Sequence, residues 1–426
     1  MAEIQPFRGV LYDRSKAHLD DVVAPPYDVI APEQQEKLYE RNPYNVVRLI
    51  LGREEDRYSS AAAHLQEWLK KRVLVRQEKP ALYILTQTFI GANGKEVVRK
   101  GFIALCRLEE FDKKIVLPHE KTLAKPREDR LKLFNATNAN LSQIFSLYPD
   151  SEKAIDRVLN GYQHTEPVID VMFEEVQNRL WCLEDEEKIG QVRELMERNQ
   201  VLIADGHHRY ETALAYRDLM RAKNPHHTGN ELYNYVMMFL TNIDDEGLVI
   251  YPTHRIVHSL AGFDAQAFLG RMEQHFILRE FKDPEDLLKA LNSSSVRSLG
   301  FKIQGEPVCY LGTLKPTSPA SQLVVDDIPL EVKELDVTLL HSVILRDLLG
   351  ISVEAQEQKR NIDYVRNAAD AMAAVESGKA QIACLMNATK IEEVRSVAKA
   401  GFTMPQKSTY FFPKLVSGLV LNLLSE

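Results

Sequence analysis

Cysteine is scarce in this chain. Four stand in 426 residues, Cys106, Cys182, Cys309 and Cys384, and no two form a C-x-x-C pair. That spacing fits neither a zinc ribbon nor a dense disulfide framework. It leaves the four thiols as small buried hydrophobes in a reducing cytoplasm. Basic excess is missing too: 53 Lys and Arg face 61 Asp and Glu, for a net charge of −8. No global field therefore draws the chain to nucleic acid or to an anionic membrane. Apolar runs stop well short of the roughly 20 residues a membrane span needs. The opening Met1-Ala2-Glu3-Ile4-Gln5-Pro6 lacks the charged and apolar regions of a signal peptide. No G-x-x-x-x-G-K-[ST] is present, which excludes a P-loop kinase, and no G-x-G-x-x-G follows a strand, which disfavours a dinucleotide-binding Rossmann domain. Helix-turn-helix pairs, internal repeats and low-complexity segments are not evident. The expectation is a cytoplasmic protein without a membrane or nucleic-acid partner, and a homodimer is left open.

What is present reads as an ordinary globular chain, 45% hydrophobic and 27% charged, with room for two or three domains. Its centre is Val201-Leu202-Ile203-Ala204-Asp205-Gly206-His207-His208-Arg209-Tyr210. The apolar run predicts a buried strand, and helical spacing through Ala213, Tyr216, Leu219 and Met220 predicts a helix after it. Gly206 permits the tight turn and a close backbone approach. Amide groups and the dipole at a helix start attract an anion, and Arg209 can bind two of its oxygens. Asp205, Gly206, His207, His208 and Arg209 are thus the candidate phosphate cradle. The bland alternative is a His-His pair that caps or faces solvent.

Other candidates lie on either side. Pro25-Pro26 stiffens a loop presenting Tyr27 and Asp28, as a rigid connection or as the rim of a pocket. Asn45–Leu51 reads as a strand, 57–76 as an amphipathic helix, and 81–90 with 96–104 as a hairpin around Gly91-Ala92-Asn93-Gly94. From Lys113 to Lys132, seven Lys or Arg face three Asp or Glu, a local excess that suggests an anionic ligand. There His119 adjoins Glu120, a candidate general base, while Lys121 and Arg130 are candidate phosphate charges. A solvated charged helix start is the alternative. Tyr235–Ile243 reads as a strand that turns at 244–247 into a second strand, Leu248–Tyr251, which ends at Thr253, His254 and Arg255. Near the other end, Lys407 and Ser408 sit among aromatics, either completing a site or lying on a docking strand. The segments expected are 1–150, an α/β region; 151–258, the core with the Asp-Gly-His-His-Arg motif; 259–330, an α/β insert; and 331–426, a helical region.

Asp205-Gly206-His207-His208-Arg209-Tyr210 resembles the phosphate-binding motif of the ParB/sulfiredoxin superfamily. The wider chain resembles an uncharacterised prokaryotic family of about this length, on Ala24–Ile30, His119–Thr122, Pro252–Arg255 and Met404–Lys414. The resemblance implies a mixed α/β (α+β) fold with a ParB/sulfiredoxin-like core and a nucleotide phosphate at the motif. It also implies ligand contacts from Tyr27, Asp28, His119, Thr253, His254 and Ser408, and phosphate contacts from Lys121, Arg130, Arg255 and Lys407. Because that superfamily includes free-serine kinases, the leading expectation is a phosphotransferase. It would use ATP, ADP or CTP, with Mg2+ accompanying the nucleotide, and act on a small hydroxylated metabolite such as serine or phosphoserine. Glu120, His207 and His208 are its candidate catalytic residues, and no dedicated metal site is expected. A phosphomonoester hydrolase in the same pocket and a non-catalytic nucleotide-binding regulator are the alternatives.

Overall fold

The structure is a computed structural model that describes residues 1–120, 124–405 and 407–424. It is mixed α/β and divides into two compact units. The first comprises Met1–Pro118, Thr122–Val249 and Pro413–Glu426, and the second comprises Ile250–Phe412 with His119–Lys121.

The first unit is built on a nine-stranded sheet. From one edge the strands run Val116–Leu117, Val201–Asp205, Ile144–Tyr148, Tyr235–Asn242, Glu96–Arg107, Leu82–Ile90, Val176–Leu183 and Ile169–Phe173, and Ile4–Gln5 adds beside Glu96–Arg107. Val201–Asp205 runs parallel to its edge neighbour and antiparallel to Ile144–Tyr148, which in turn runs parallel to Tyr235–Asn242. The remaining pairs are antiparallel. Tyr235–Asn242 is buried along its whole length, as expected of a strand with neighbours on both edges and cover on both faces. The predicted hairpin forms as Leu82–Ile90 and Glu96–Arg107, with Gly94 at φ +74 in its turn. Helix Ala124–Thr137 packs against both Arg57–Lys70 and His207–Lys223. The sheet thus draws strands from both sides of residue 150.

Two expected strands turn out otherwise. Residues 45–51 are not a strand, because Val47–Ile50 forms a helical turn. Fully buried Asn45 decides this: its side chain donates to the carbonyls of Asp21 (2.7 Å) and Val23 (3.0 Å) and accepts from the Val47 amide (2.9 Å), capping the turn. A short apolar run satisfies a buried turn as readily as a strand. The strand Val249–Tyr251 does not fold back on Tyr235–Asn242 but pairs with Tyr410–Phe412, where the Tyr251 ring stacks on Phe412 at 4.9 Å.

Residues 413–424 pass through the first unit as an integral strip. Leu421 bridges to Val10 and Ser417 to Ala24, and Asn422–Leu423 pairs with Ala139–Asn140. The loop with Pro25 and Pro26 is thereby clamped from the far end of the sequence.

The second unit carries a six-stranded antiparallel sheet in the order Phe276–Phe281, Cys309–Leu314, Ser298–Ile303, Ile382–Leu385, His254–Val257 and Ile362–Val365. Its strands come from both sides of residue 330. Helices Pro284–Ser293 and Ala368–Glu376 pack on it through Leu287, Leu291, Ala371 and Val375. Helix Asp336–Leu339 widens into a π-helical segment over Leu340–Leu348, with the Leu349 amide bonded to the Ile344 carbonyl five residues back. All four cysteines are free thiols, three of them buried.

Candidate anion-binding site

The buried strand Val201–Asp205 leads through Gly206 into the 17-residue helix His207–Lys223. Gly206 sits at φ +97, and its carbonyl accepts the first helical bond, from Tyr210 at 3.0 Å. The amides of His207, His208 and Arg209 precede that bond, so they are the donors a helix start presents to an anion. His207 is buried and His208 half-buried.

Arg209 folds back over this turn. One of its terminal nitrogens donates to Asp205 Oδ2 at 2.9 Å, and the other donates to the Gln143 carbonyl and lies 3.4 Å from Ser142 Oγ. A side chain on Gly206 would have its Cβ 2.9 Å from the same guanidinium. Lys414 Nζ donates to the other Asp205 oxygen at 2.8 Å. Both oxygens of Asp205 are engaged by cations, which leaves this carboxylate poorly suited to ligate a metal directly. Mg2+ carried on the phosphates of a nucleotide would need no ligand from Asp205.

Beside the turn lies a cavity of about 70 Å³, polar where Tyr27, Arg130, Asn140, Ser142, Arg209 and Thr212 line it and apolar elsewhere. One water needs about 10–15 Å³ by this measure, so the space suits a group of several heavy atoms. The Arg130 guanidinium lies 4.0 Å over the Tyr27 ring and donates to the Ile50 carbonyl (2.6 Å) and to Asp129 Oδ2 (2.8 Å). Burial raises the Tyr27 phenol pKa, against the pull of Arg130. Burial also disfavours the Asp129 carboxylate, but Arg130, Tyr58 and Arg57 overcome it and hold its pKa below the usual range. Arg57, Arg130, Arg209 and Lys414 supply four positive charges against the carboxylates of Asp129, Asp205 and exposed Asp28. The balance is positive in a chain that is acidic as a whole.

The other expected residues gather in the second unit. His119 is fully buried, with Nε2 2.9 Å from Thr409 Oγ1. Glu120 bridges in parallel to Met404, and its Oε1 accepts the Lys407 amide. Lys407 itself is exposed, at φ +57. Buried Arg255 donates to the Thr253 carbonyl, to the Lys407 carbonyl (3.1 Å) and to His341 Nε2 (3.3 Å). Burial lowers its pKa to about 10. His254 Nδ1 accepts the Met386 amide at 3.2 Å, and burial, then Arg255, depress its pKa to about 4. Ser408 Oγ donates to the Pro405 carbonyl at 2.5 Å. Expected residue Lys121 lies outside the described residues, as do Thr122 and Gln406 of the neighbouring motifs. Among the described residues, no group of three or more His, Cys, Asp or Glu side chains is arranged to hold a metal ion.

Sequence reasoning missed several participants. Arg99 is fully buried on a central strand, with its guanidinium 4.5 Å from the Phe145 ring centre and donating to the Pro413 carbonyl at 2.5 Å. Burial lowers its pKa to about 9. It read as one polar residue of a hairpin strand. Asn140 follows Asn135 and Asn138 closely in the sequence, and Asn is common in turns for reasons of backbone alone. Lys414 was visible in the Met404–Lys414 motif, but its link to Asp205 spans 209 residues.

The family described as "Protein of unknown function (DUF1015)" matches residues 4–338. No curated protein matches the sequence. Among solved structures, a conserved hypothetical protein from Pyrococcus furiosus is similar at 14% identity and a TM-score of 0.34, covering 71% of this chain and 89% of its own. A free serine kinase in complex with AMP is similar at 13% identity and 0.33, covering 70% and 83%. SbnI from Staphylococcus aureus, truncated at its C-terminus, is similar at 10% identity and 0.35, covering 74% and 85%.

Proposed function

The chain belongs to the DUF1015 family, and for it we propose a phosphotransferase with a ParB/sulfiredoxin-like core. The enzyme binds a nucleotide phosphate at the Gly206 turn and acts on a small hydroxylated metabolite, with serine or phosphoserine the first substrate to try. One observation carries the reading: a left-handed glycine opens a long helix directly from a buried strand, beside a cavity where the local charge is positive. The resemblance of Asp205–Tyr210 to a nucleotide-phosphate motif supports it.

In this reading the first amides of the helix hold phosphate oxygens, and the helix dipole adds to their field. Arg209 works mainly by fixing the turn and neutralising Asp205, since three of its five N–H donors already engage Asp205, Gln143 and Ser142. Arg130, with Tyr27 beneath it, meets the smaller partner in the cavity. Fixed cations and amides of this kind stabilise charge on a transferring phosphoryl group. His208, at the helix start, accepts the hydroxyl proton.

Thermal unfolding against ATP, ADP, CTP, serine, phosphoserine and inorganic phosphate, each with and without Mg2+, tests the proposal. A ligand at 100 times its Kd adds about 2.7 kcal/mol of stability. A shift with a nucleotide, lost in Gly206→Ala, is expected. A shift with phosphoserine alone would replace the kinase by the hydrolase, and no shift with any of them would remove the phosphate site. Glu120→Gln then decides the base: normal turnover in that variant assigns proton transfer to the histidines.

A further inference from the structure

The cavity beside the Gly206 turn lies wholly within the first unit, and Asn140 is the most telling residue in its wall. Asn140 is 5% exposed. Its Oδ1 accepts the Met237 amide (3.2 Å) and the side-chain amide of Asn422 (3.0 Å). A backbone N–H only donates, so the first of these contacts fixes which end of the Asn140 amide is oxygen. The NH2 group is left without an acceptor among the described residues, and it is not sealed off from water. A donor so nearly buried is costly to leave unmatched, and an acceptor in the cavity matches it.

Its neighbours in the wall repeat the pattern. The Tyr27 hydroxyl has no hydrogen-bond partner among the described residues and is likewise open to water. Arg130 commits three of its five N–H groups to Asp129 and the Ile50 carbonyl, and Arg209 commits three to Asp205, Gln143 and Ser142. Two remain on each guanidinium. All of these uncommitted groups are donors, and two of the four side chains are cations.

The same wall offers little to a ligand's own donors. Asn140 Oδ1 already accepts twice, Thr212 donates its hydroxyl hydrogen to the His208 carbonyl (2.7 Å), and no carboxylate lines the cavity. An ammonium group placed here would face two guanidiniums with no counter-charge beside it. Most of the remaining wall is hydrocarbon, including the buried side chains of Leu133, Leu141, Ile144 and Val236. Such a surface gains by covering methyl and methylene groups.

We propose that this cavity binds a short aliphatic hydroxy acid in preference to an amino acid. The carboxylate draws on the Asn140 amide, the Tyr27 hydroxyl and the uncommitted N–H groups of Arg130, and the alkyl end packs against Leu141 and Val236. Serine, whose ammonium finds no counter-charge in the wall, is then the weaker ligand. That the hydroxyl of this acid receives the phosphoryl group rests on the reading of the Gly206 turn as the phosphate site; that the acid binds does not.

Ligand-observed NMR titration of the full chain with 2-hydroxybutyrate, 2-aminobutyrate and serine tests this, using wild type, Tyr27→Phe and Asn140→Asp. 2-Aminobutyrate differs from the hydroxy acid only by an ammonium in place of the hydroxyl. 2-Hydroxybutyrate should bind wild type at least about tenfold more tightly than either amino acid, and lose at least about tenfold in each variant. Tyr27→Phe removes a hydroxyl that bonds nothing in the chain, so its melting temperature should stay level while binding falls. Asn140→Asp keeps the oxygen that Met237 and Asn422 use and puts a negative charge where the donor was. Absent binding of 2-hydroxybutyrate, an amino acid bound as tightly, or unchanged affinity in Tyr27→Phe would overturn the proposal. Thermal unfolding with nucleotides separates the two readings. A nucleotide shift without acid binding removes the hydroxy acid alone, and acid binding without a nucleotide shift removes the phosphate turn alone.

Discussion

Asp205 illustrates how single charges set this molecule's behaviour. Its carboxylate is about 20% exposed and is held between Arg209 and Lys414. Removing one cation leaves a partly buried charge only half matched. Lys414→Met should therefore cost about 1–3 kcal/mol of stability, read by chemical denaturation, and an exposed-surface value near zero would show that the pair is ornamental. His254 gives a pH dependence with a definite sign. The folded state holds it neutral, with its pKa lowered to about 4, while the unfolded chain protonates near 6.5. The stability it contributes is present above pH 6.5 and is lost as pH falls from 6.5 towards 4. Asp336, raised to about 6 by burial, works the other way over part of that window, so total stability is a blurred readout. The clean measurement is the stability difference between wild type and His254→Asn. It should shrink by up to about 3 kcal/mol as pH falls from 6.5 to 4; a difference flat in pH would place His254 in contact with water.

Among the elements, those with long regular periods were legible. Helix 57–70, the 82–107 hairpin and the passage from strand 201–205 to helix 207–223 follow directly from the spacing of apolar residues. The turn at Asn45 was not, because one buried amide outweighs the β-branched run beside it. Asn45→Ala should cost about 2–3 kcal/mol, since it strands two carbonyls and an amide in the core. Denaturant titration reads this, and a loss below 0.5 kcal/mol would mean that the turn is held by packing alone. Gly206→Ala tests the passage itself: at φ +97 a Cβ is strained and also meets Arg209. A cost of about 1–2 kcal/mol is expected, with loss of phosphate-ligand affinity. Retained affinity would move the ligand away from the turn. The site was half legible for the same reason as the fold. Asp205–Arg209 is contiguous, whereas Asn140, Ser142 and Lys414 arrive through strand pairings that no local pattern encodes.

At the scale of the whole molecule, the two units are unequal in how the chain supplies them. The second is one unbroken stretch plus a short segment near residue 119, whereas the first is completed by residues from 413 onward. That late strip meets Val10, Ala24, Arg99, Asn140 and Asp205. Ending the chain after Phe412 should leave the first unit open, with faster protease cleavage in residues 1–118 and no response to phosphate ligands. A truncated chain as resistant as wild type would show that the strip is only a covering.

The strip also bears on how the protein is made. A ribosome releases the strands of the nine-stranded sheet early but withholds their closing piece until residues 250–412 have followed. At about 5–20 residues per second this delay is roughly 10–30 s. Throughout that interval the nascent first unit has its main sheet but not the strip, so the apolar core around Val10, Ala24 and Leu141 that Leu421 completes stands open to chaperones and to neighbouring chains. The phosphate turn acquires its lysine last of all.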